Sequence, residues 1–237
     1  MTAGGRVIGL SPAADRSGAG REIVGAVLVF LTLVVVSSTV VLAIGGGGSR
    51  AEVVAGSLAH LVGSATALLV AQAWRSSARF GGRWTAGKVV MAYAAFAVGT
   101  YAPFAFGVLL SWTQLGLPAQ PQAPLDFLSG SGFTPGTLVV VAAVVLSAPL
   151  VEEVVFRGFL QTGLTARLGA LRAILVTAAV FALLHVGSGA HLFLPIALLG
   201  VFLGWLRAWT GGLLAPVVAH ATHNAAMIVI SMLVAQR

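Results

Sequence analysis

The sequence predicts an all-α, polytopic membrane protein: a bundle of about seven to eight transmembrane helices with a cytoplasmic N-terminus. Three observations predict this fold class. First, 58% of the 237 residues are hydrophobic and only 8% are charged, whereas soluble domains carry about 25% charged residues. Second, apolar runs of about 20 residues, the length that crosses a bilayer, recur along the chain. Third, the basic residues lie mainly between these runs.

The predicted spans follow one another with short connections. The first apolar run is too long for a signal-peptide core and has no convincing cleavage site, so we interpret it as a retained helix. An eighth span is predicted only if the Pro-rich loop 116–136 contains a re-entrant segment. All five tryptophans lie at or near span ends, as interfacial residues often do. The seven predicted spans are residues 22–44, 53–74, 89–112, 137–164, 171–186, 192–209 and 213–235.

Composition divides the chain into three regions: a disordered N-terminal tail (1–20), three N-terminal helices with the Pro-rich loop (21–136), and a helix core that carries the polar motifs (137–235). With the N-terminus inside, only Arg50 and Arg237 of the 13 basic residues fall on the outer side. The net charge of +7 therefore indicates topology rather than a nucleic-acid site. The absence of cysteine excludes disulfides and thiol catalysis.

The most informative stretch is 148–158, which places Glu152, Glu153 and Arg157 at the end of an apolar run. A charge at the centre of a membrane helix costs roughly 2.5–3.5 kcal/mol, so these residues must pair or do chemistry. Glu153 and Arg157 have the i,i+4 spacing of an ion pair, whereas Glu152 points about 100° away. We interpret Glu153–Arg157 as a structural pair and Glu152 as the functional carboxylate. The alternative is that all three pair within the bundle.

A second polar residue, His185, follows Phe181 by one helical turn. Glu152 and His185 lie 17 and 16 residues on either side of a turn predicted at Gly169. At 1.5 Å per residue both lie about 25 Å from that turn, which places them at the same membrane height. A site shared by a glutamate, a water and a histidine requires such a match. The alternative is a simple interhelical hydrogen bond.

The last span contains His220, His223 and Asn224. His220 and Asn224 share one helix face and together could bind a developing oxyanion. His220 and His223 have the spacing of a metal pair, although H-x-x-H is a weak motif. Straight helices would leave His220 about 10 Å nearer the cytoplasm than His185. His60 and His191 are interpreted as structural or interfacial.

These motifs, E-E-x-x-x-R, F-x-x-x-H and H-x-x-x-N, occur in an order and spacing that resemble the CPBP family, the CAAX proteases and bacteriocin-processing enzymes, also called Abi. The resemblance covers about residues 137–232. It implies an intramembrane endopeptidase of the glutamate type, similar to type II CAAX prenyl endopeptidase, that uses no cofactor or metal. Transferred by motif, Glu152 would be the general base assisted by His185, and His220 and Asn224 would stabilise the oxyanion. The remaining motif residues, Glu153, Arg157 and Phe181, would support the site.

The sequence is compatible with three functions. The first is an endopeptidase of the cell membrane that cleaves a peptide or a membrane protein, prenylated or not, in contact with lipid. The second is a non-catalytic membrane scaffold or immunity protein that uses the same polar site for binding, since a fold alone does not establish a function. The third is a proton-coupled transporter, against which the halves of the sequence show no inverted repeat. Oligomeric state is not predicted.

Overall fold

The computed structural model describes residues 16–44, 49–74, 85–116, 124, 127–128 and 132–235, and no strand occurs among them. The fold is an all-α bundle. Short 3-10 turns at Val186–Ser188 and Ala190–Leu192 separate the fifth and sixth helices. The helices in chain order are α1 (Arg16–Ile44), α2 (Ser49–Trp74), α3 (Ala86–Gln114), α4 (Pro135–Leu168), α5 (Ala170–Leu184), α6 (Phe193–Thr210) and α7 (Leu214–Ala235).

Each of the seven predicted spans corresponds to one of these helices. Among the described residues, six helices are long and apolar enough to cross a membrane, which makes the chain a multi-pass membrane protein. The remaining helix, α5, has 15 residues and is therefore only about 22 Å long. The re-entrant segment predicted within 116–136 lies mostly outside the described residues.

The predicted boundary of the N-terminal tail is wrong at its end, because α1 begins at Arg16 rather than after residue 20. Packing explains the difference. Ala19 is fully buried, and a Cβ on Gly163 of α4 would lie 2.9 Å from the Ala19 carbonyl oxygen. The start of α1 is thus held against the end of α4. Residues 1–15 lie outside the described part of the chain.

Helix α4 is the central element, because α1, α2, α5 and α7 all pack on it. Its buried side chains Val151 and Phe159 join one apolar cluster with Val29 of α1 and Phe181 of α5. At the basic end of the α1–α2 hairpin, Nη2 of Arg21 donates to the Trp74 carbonyl (2.9 Å) and Nε1 of Trp74 donates back to the Arg21 carbonyl (3.2 Å). The polar residues of α4 are therefore enclosed by helices from both halves of the chain.

Two π-helical turns, Ala142–Ser147 and Val154–Leu160, flank the glutamates in α4. In the first, the N–H of Ala148 donates to the Ala143 carbonyl, five residues back, instead of to Val144. The next residue, Pro149, has no N–H, so it cannot serve Val144 either. The Val144 carbonyl is thus left without a partner inside its own helix. Single π turns of this kind often occur at functional sites.

Two glycines of α6 allow close helix packing. A Cβ on Gly200 would lie 3.1 Å from Cα of Ala178 in α5, and one on Gly204 would lie 3.0 Å from the side chains of Ile174 and Gln161. Such small-xxx-small spacing is typical of close contacts between membrane helices. It also exposes the backbone carbonyls of α6 to the polar side chains of α4.

Candidate active site

Three buried side chains form what we call the ion-pair centre: Glu153, Arg157 and His220. Oε1 of Glu153 accepts from Nη1 of Arg157 at 2.9 Å and from Nδ1 of His220 at 2.9 Å. The side chains of Glu153 and Arg157 have 0% exposure and that of His220 has 5%. The ion pair predicted from the i,i+4 spacing is therefore present. Arg157 belongs to this centre and not to the cytoplasmic interface.

The second amino group of Arg157 ties the ion-pair centre to α6, since Nη2 donates to the Gly200 carbonyl at 3.0 Å. One turn later, Nε2 of Gln161 donates to the Gly204 carbonyl at 3.0 Å. The Arg157 guanidinium also lies over the Phe181 ring, 4.8 Å from its centroid, a favourable cation–π distance. Fixing the guanidinium in this way lets it neutralise Glu153 without water.

Glu152 has a different environment from its neighbour. Its side chain retains 19% exposure, and its Oε2 lies 3.8 Å from Nε2 of His220, beyond hydrogen-bond distance. The two glutamates thus face the two nitrogens of one imidazole: Glu153 is bonded and closed off, and Glu152 is close and accessible. The pairing of Glu153 and the separate position of Glu152 agree with the helical spacing.

Phe181 lies between the two histidines of the motifs. Its ring centroid is 4.4 Å from that of His185 and 5.8 Å from that of His220. The Phe181 ring thus contacts both histidines, and two 3-10 turns follow His185 before the sixth helix begins. Nδ1 of His185 donates to the Phe181 carbonyl at 2.7 Å. With Nδ1 as the donor, the neutral form of the ring would present Nε2 as a proton acceptor.

Asn224 satisfies the carbonyl that the π turn leaves open: its Nδ2 donates to the Val144 carbonyl at 2.8 Å. This bond uses one of the two amide hydrogens and leaves the other for a ligand. The last helix therefore holds α4 at the point where its regular hydrogen bonding is interrupted.

His223 faces away from the two glutamates, toward α3. Its Nδ1 lies at hydrogen-bond distance, 3.2 Å, from the Tyr93 hydroxyl, and the Tyr101 ring packs edge-on against it at 4.8 Å. Within the described part of the chain, no group of three or more His, Asp or Glu side chains could hold a metal ion. The contacts make His223 a link between α7 and the N-terminal half.

A cavity of about 780 Å³, which we call the α2 cavity, lies between the first halves of α2 and α4. His60, interpreted from the sequence as structural or interfacial, lines this cavity. Its place there could not be predicted, because an isolated histidine in an apolar span has no local polar partner. His191 is buried against the Trp112 ring at 5.3 Å, away from these residues.

Gly200, Gly204 and Gln161 were also missed by sequence reasoning. A small-xxx-small spacing marks the two glycines, and Gln161 follows Arg157 at i,i+4 on the same face of α4. Pro149, in the middle of an apolar helix, was the available sign of broken hydrogen bonding.

Comparison with known proteins gives one family match. Residues 134–226 match a family of membrane endopeptidases. The matching family model describes type II CAAX prenyl endopeptidase Rce1-like proteins. The resemblance to CAAX-type proteases that the motifs predict is confirmed for this segment, which contains every motif residue. No curated protein and no solved structure matches the chain significantly.

Proposed function

We propose that this protein is an intramembrane endopeptidase of the cell membrane in which Glu152 activates a water for attack on a peptide bond. The observation that carries the proposal is the contrast between the glutamates. Glu153 is fully buried and already accepts two hydrogen bonds, whereas Glu152 is accessible and unbonded beside His220. A general base must be free to take a proton from water.

In the proposed reaction, the water oxygen bonds to the scissile carbonyl carbon while Glu152 takes a water proton. His185 orients the same water through its Nε2. The resulting oxyanion accepts from the second amide hydrogen of Asn224, and from Nε2 of His220 when that nitrogen carries a proton. The C–N bond then breaks as the proton on Glu152 passes to the leaving nitrogen. The products are a carboxylic acid and an amine, and the acid then gives its remaining proton to water.

The matching family implies a membrane-associated peptide as substrate. We propose a peptide or membrane-protein segment that enters a polar space within the bundle, because hydrolysis needs water that the lipid interior lacks. The Arg157 guanidinium and the Gly200 carbonyl would keep the ion-pair centre fixed during turnover.

The proposal is tested by comparing peptide termini in the membrane proteome of cells that express wild type or Glu152→Gln at equal levels. The substitution keeps the size of the side chain and removes its basicity. New termini that require Glu152 would identify both the activity and its substrate. If both proteins are folded and abundant and the termini are identical, the protein is not a protease in those cells, and the binding or immunity function gains support.

The proposed mechanism uses no metal ion, so a strong chelator is expected to leave Glu152-dependent cleavage unchanged. The measurement is cleavage of the identified substrate by protein in detergent, with and without chelator. Reversible loss that added metal restores would contradict the mechanism and would indicate a site at His220 and His223.

A further inference from the structure

The deep end of the α2 cavity approaches the proposed active site along α4. Two features connect them. Ala148, on the cavity wall, lies one helical turn before Glu152. The Val144 carbonyl, on the same wall, accepts the hydrogen bond from Asn224. The cavity and the site are therefore neighbours on α4.

The deep end also has polar character that its apolar surroundings do not explain. Nε2 of His60 is buried and has no hydrogen-bond partner. Leaving such a group unsatisfied in a buried position costs about 1–3 kcal/mol. His60 thus brings an unpaired polar nitrogen to a cavity large enough for a ligand.

The mouth of the cavity is at the start of α2. Arg50 and Glu52, in the first turn of that helix, line the cavity and are exposed, whereas Ser57 further along is buried. The start of α4 lies beside them, since a Cβ on Gly136 would meet the Val54 side chain at 3.1 Å. The cavity therefore runs inward from the bundle end at which α2 and α4 begin.

Most basic residues lie at the other end. Arg21 is bonded to Trp74 at the end of α2, and Nη2 of Arg167, at the end of α4, lies 3.2 Å from where a Cβ on Gly20 would be. Lys88 and Arg172 follow in the first turns of α3 and α5. Because basic residues collect on the cytoplasmic side of membrane proteins, this end faces the cytoplasm and the mouth faces away from it.

We propose that the α2 cavity is the substrate cleft and that it admits an extended, unprenylated peptide segment from the non-cytoplasmic side of the membrane. This inference rests on the proposed function and narrows its substrate class. Segments of exported peptides and the outer ends of membrane proteins meet the requirement. A prenylated C-terminus held at the cytoplasmic surface does not, because it is at the opposite end of the bundle.

The absence of cysteine allows a direct test, because one introduced thiol is the only one in the chain. Gly56→Cys places it on the cavity wall and Gly18→Cys at the basic end; at both positions a Cβ meets nothing within 4 Å. A charged, membrane-impermeant maleimide is added to intact cells and to inverted membrane vesicles. We expect Gly56→Cys to react in intact cells only and Gly18→Cys in inverted vesicles only. Modified Gly56→Cys is also expected to lose Glu152-dependent cleavage.

Labelling of Gly56→Cys from the vesicle side only, or complete labelling without loss of cleavage, would overturn the inference. If Gly56→Cys does not fold, Ala148→Cys, deeper on the opposite wall, replaces it. The two proposals fail in different ways. Unchanged termini in the Glu152→Gln comparison reject the protease function, whereas Glu152-dependent termini together with labelling from the wrong side reject only the route of entry.

Discussion

The two adjacent glutamates of the site, Glu152 and Glu153, have opposite surroundings. In the ion-pair centre, one carboxylate oxygen of Glu153 accepts from Arg157 and His220, and all three side chains are almost completely buried. One residue earlier, Glu152 keeps 19% exposure, and its carboxylate lies 3.8 Å from Nε2 of His220, beyond hydrogen-bond distance. One glutamate is thus buried and paired, whereas its neighbour is partly exposed and makes no hydrogen bond.

This difference shows how a membrane protein can hold a reactive carboxylate. A buried charge needs a fixed partner, because leaving it alone costs several kcal/mol. Glu153 supplies that partner for Arg157, and His220 is anchored by the same oxygen. The accessible Glu152 can then react without loss of the structural pair. Four sets of substitutions test this division, from the largest expected effect to the smallest.

Arg157→Ala should destabilise the ion-pair centre. It leaves Glu153 buried and uncompensated and removes the bond to the Gly200 carbonyl, so we expect a loss of about 3–5 kcal/mol in unfolding free energy. Thermal unfolding in detergent measures the effect, and Arg167→Ala, at an exposed position, is the control. A fully stable Arg157→Ala protein that is only slower would show that the pair is not structural.

The two glutamates should separate stability from activity. Glu153→Gln weakens two charged hydrogen bonds and is expected to lower the unfolding free energy by about 1.5–3 kcal/mol. Glu152→Gln, whose side chain is unbonded, should change it by less than about 1 kcal/mol while it abolishes cleavage. Equal destabilisation by the two substitutions would show that the two glutamates do not differ in their structural contribution.

Gly200→Ala tests the close contact between α6 and α5 that positions the Gly200 carbonyl at the ion-pair centre. The added methyl group would lie 3.1 Å from Ala178, backbone and side chain, and should cost about 1–3 kcal/mol because two helices must separate. Gly107→Ala, in α3 and with open space around it, is the matched control. The measurement is the melting temperature of both variants, and similar values would show that the close approach is not required.

Pro149→Ala should partly compensate for the stability lost when Asn224 is replaced. Asn224→Leu removes the donor to the Val144 carbonyl and is expected to cost about 1 kcal/mol. Pro149→Ala restores a backbone N–H that can serve that carbonyl, so it should recover part of the loss. A double-mutant cycle on unfolding free energy measures the coupling. Strict additivity would show that the two residues do not share this acceptor.

The sequence predicted the helices because apolar runs of membrane length are unambiguous, and it predicted the Glu153–Arg157 pair because i,i+4 spacing determines the helix face. It could not predict the contact between Phe181 and His220, which depends on how α5 and α7 pack against each other. The start of α1 was placed too late because burial of Ala19 depends on Gly163, far along the chain. The position of His60 on the α2 cavity could not be predicted for the same reason, because the opposite wall is formed by another helix, α4.

The π turn at Ala142–Ser147 has a consequence for how this gene can change. Such a turn contains one residue more than the regular helix it interrupts. Deletion of a single codon within the turn can therefore be absorbed by a return to regular helix, whereas deletion of a codon in the regular helix between Ala148 and Glu152 would rotate Glu152 relative to the start of α4 by about 100°. In related sequences, the number of residues between Pro135 and Glu152 should therefore differ by no more than the one residue that the turn contains.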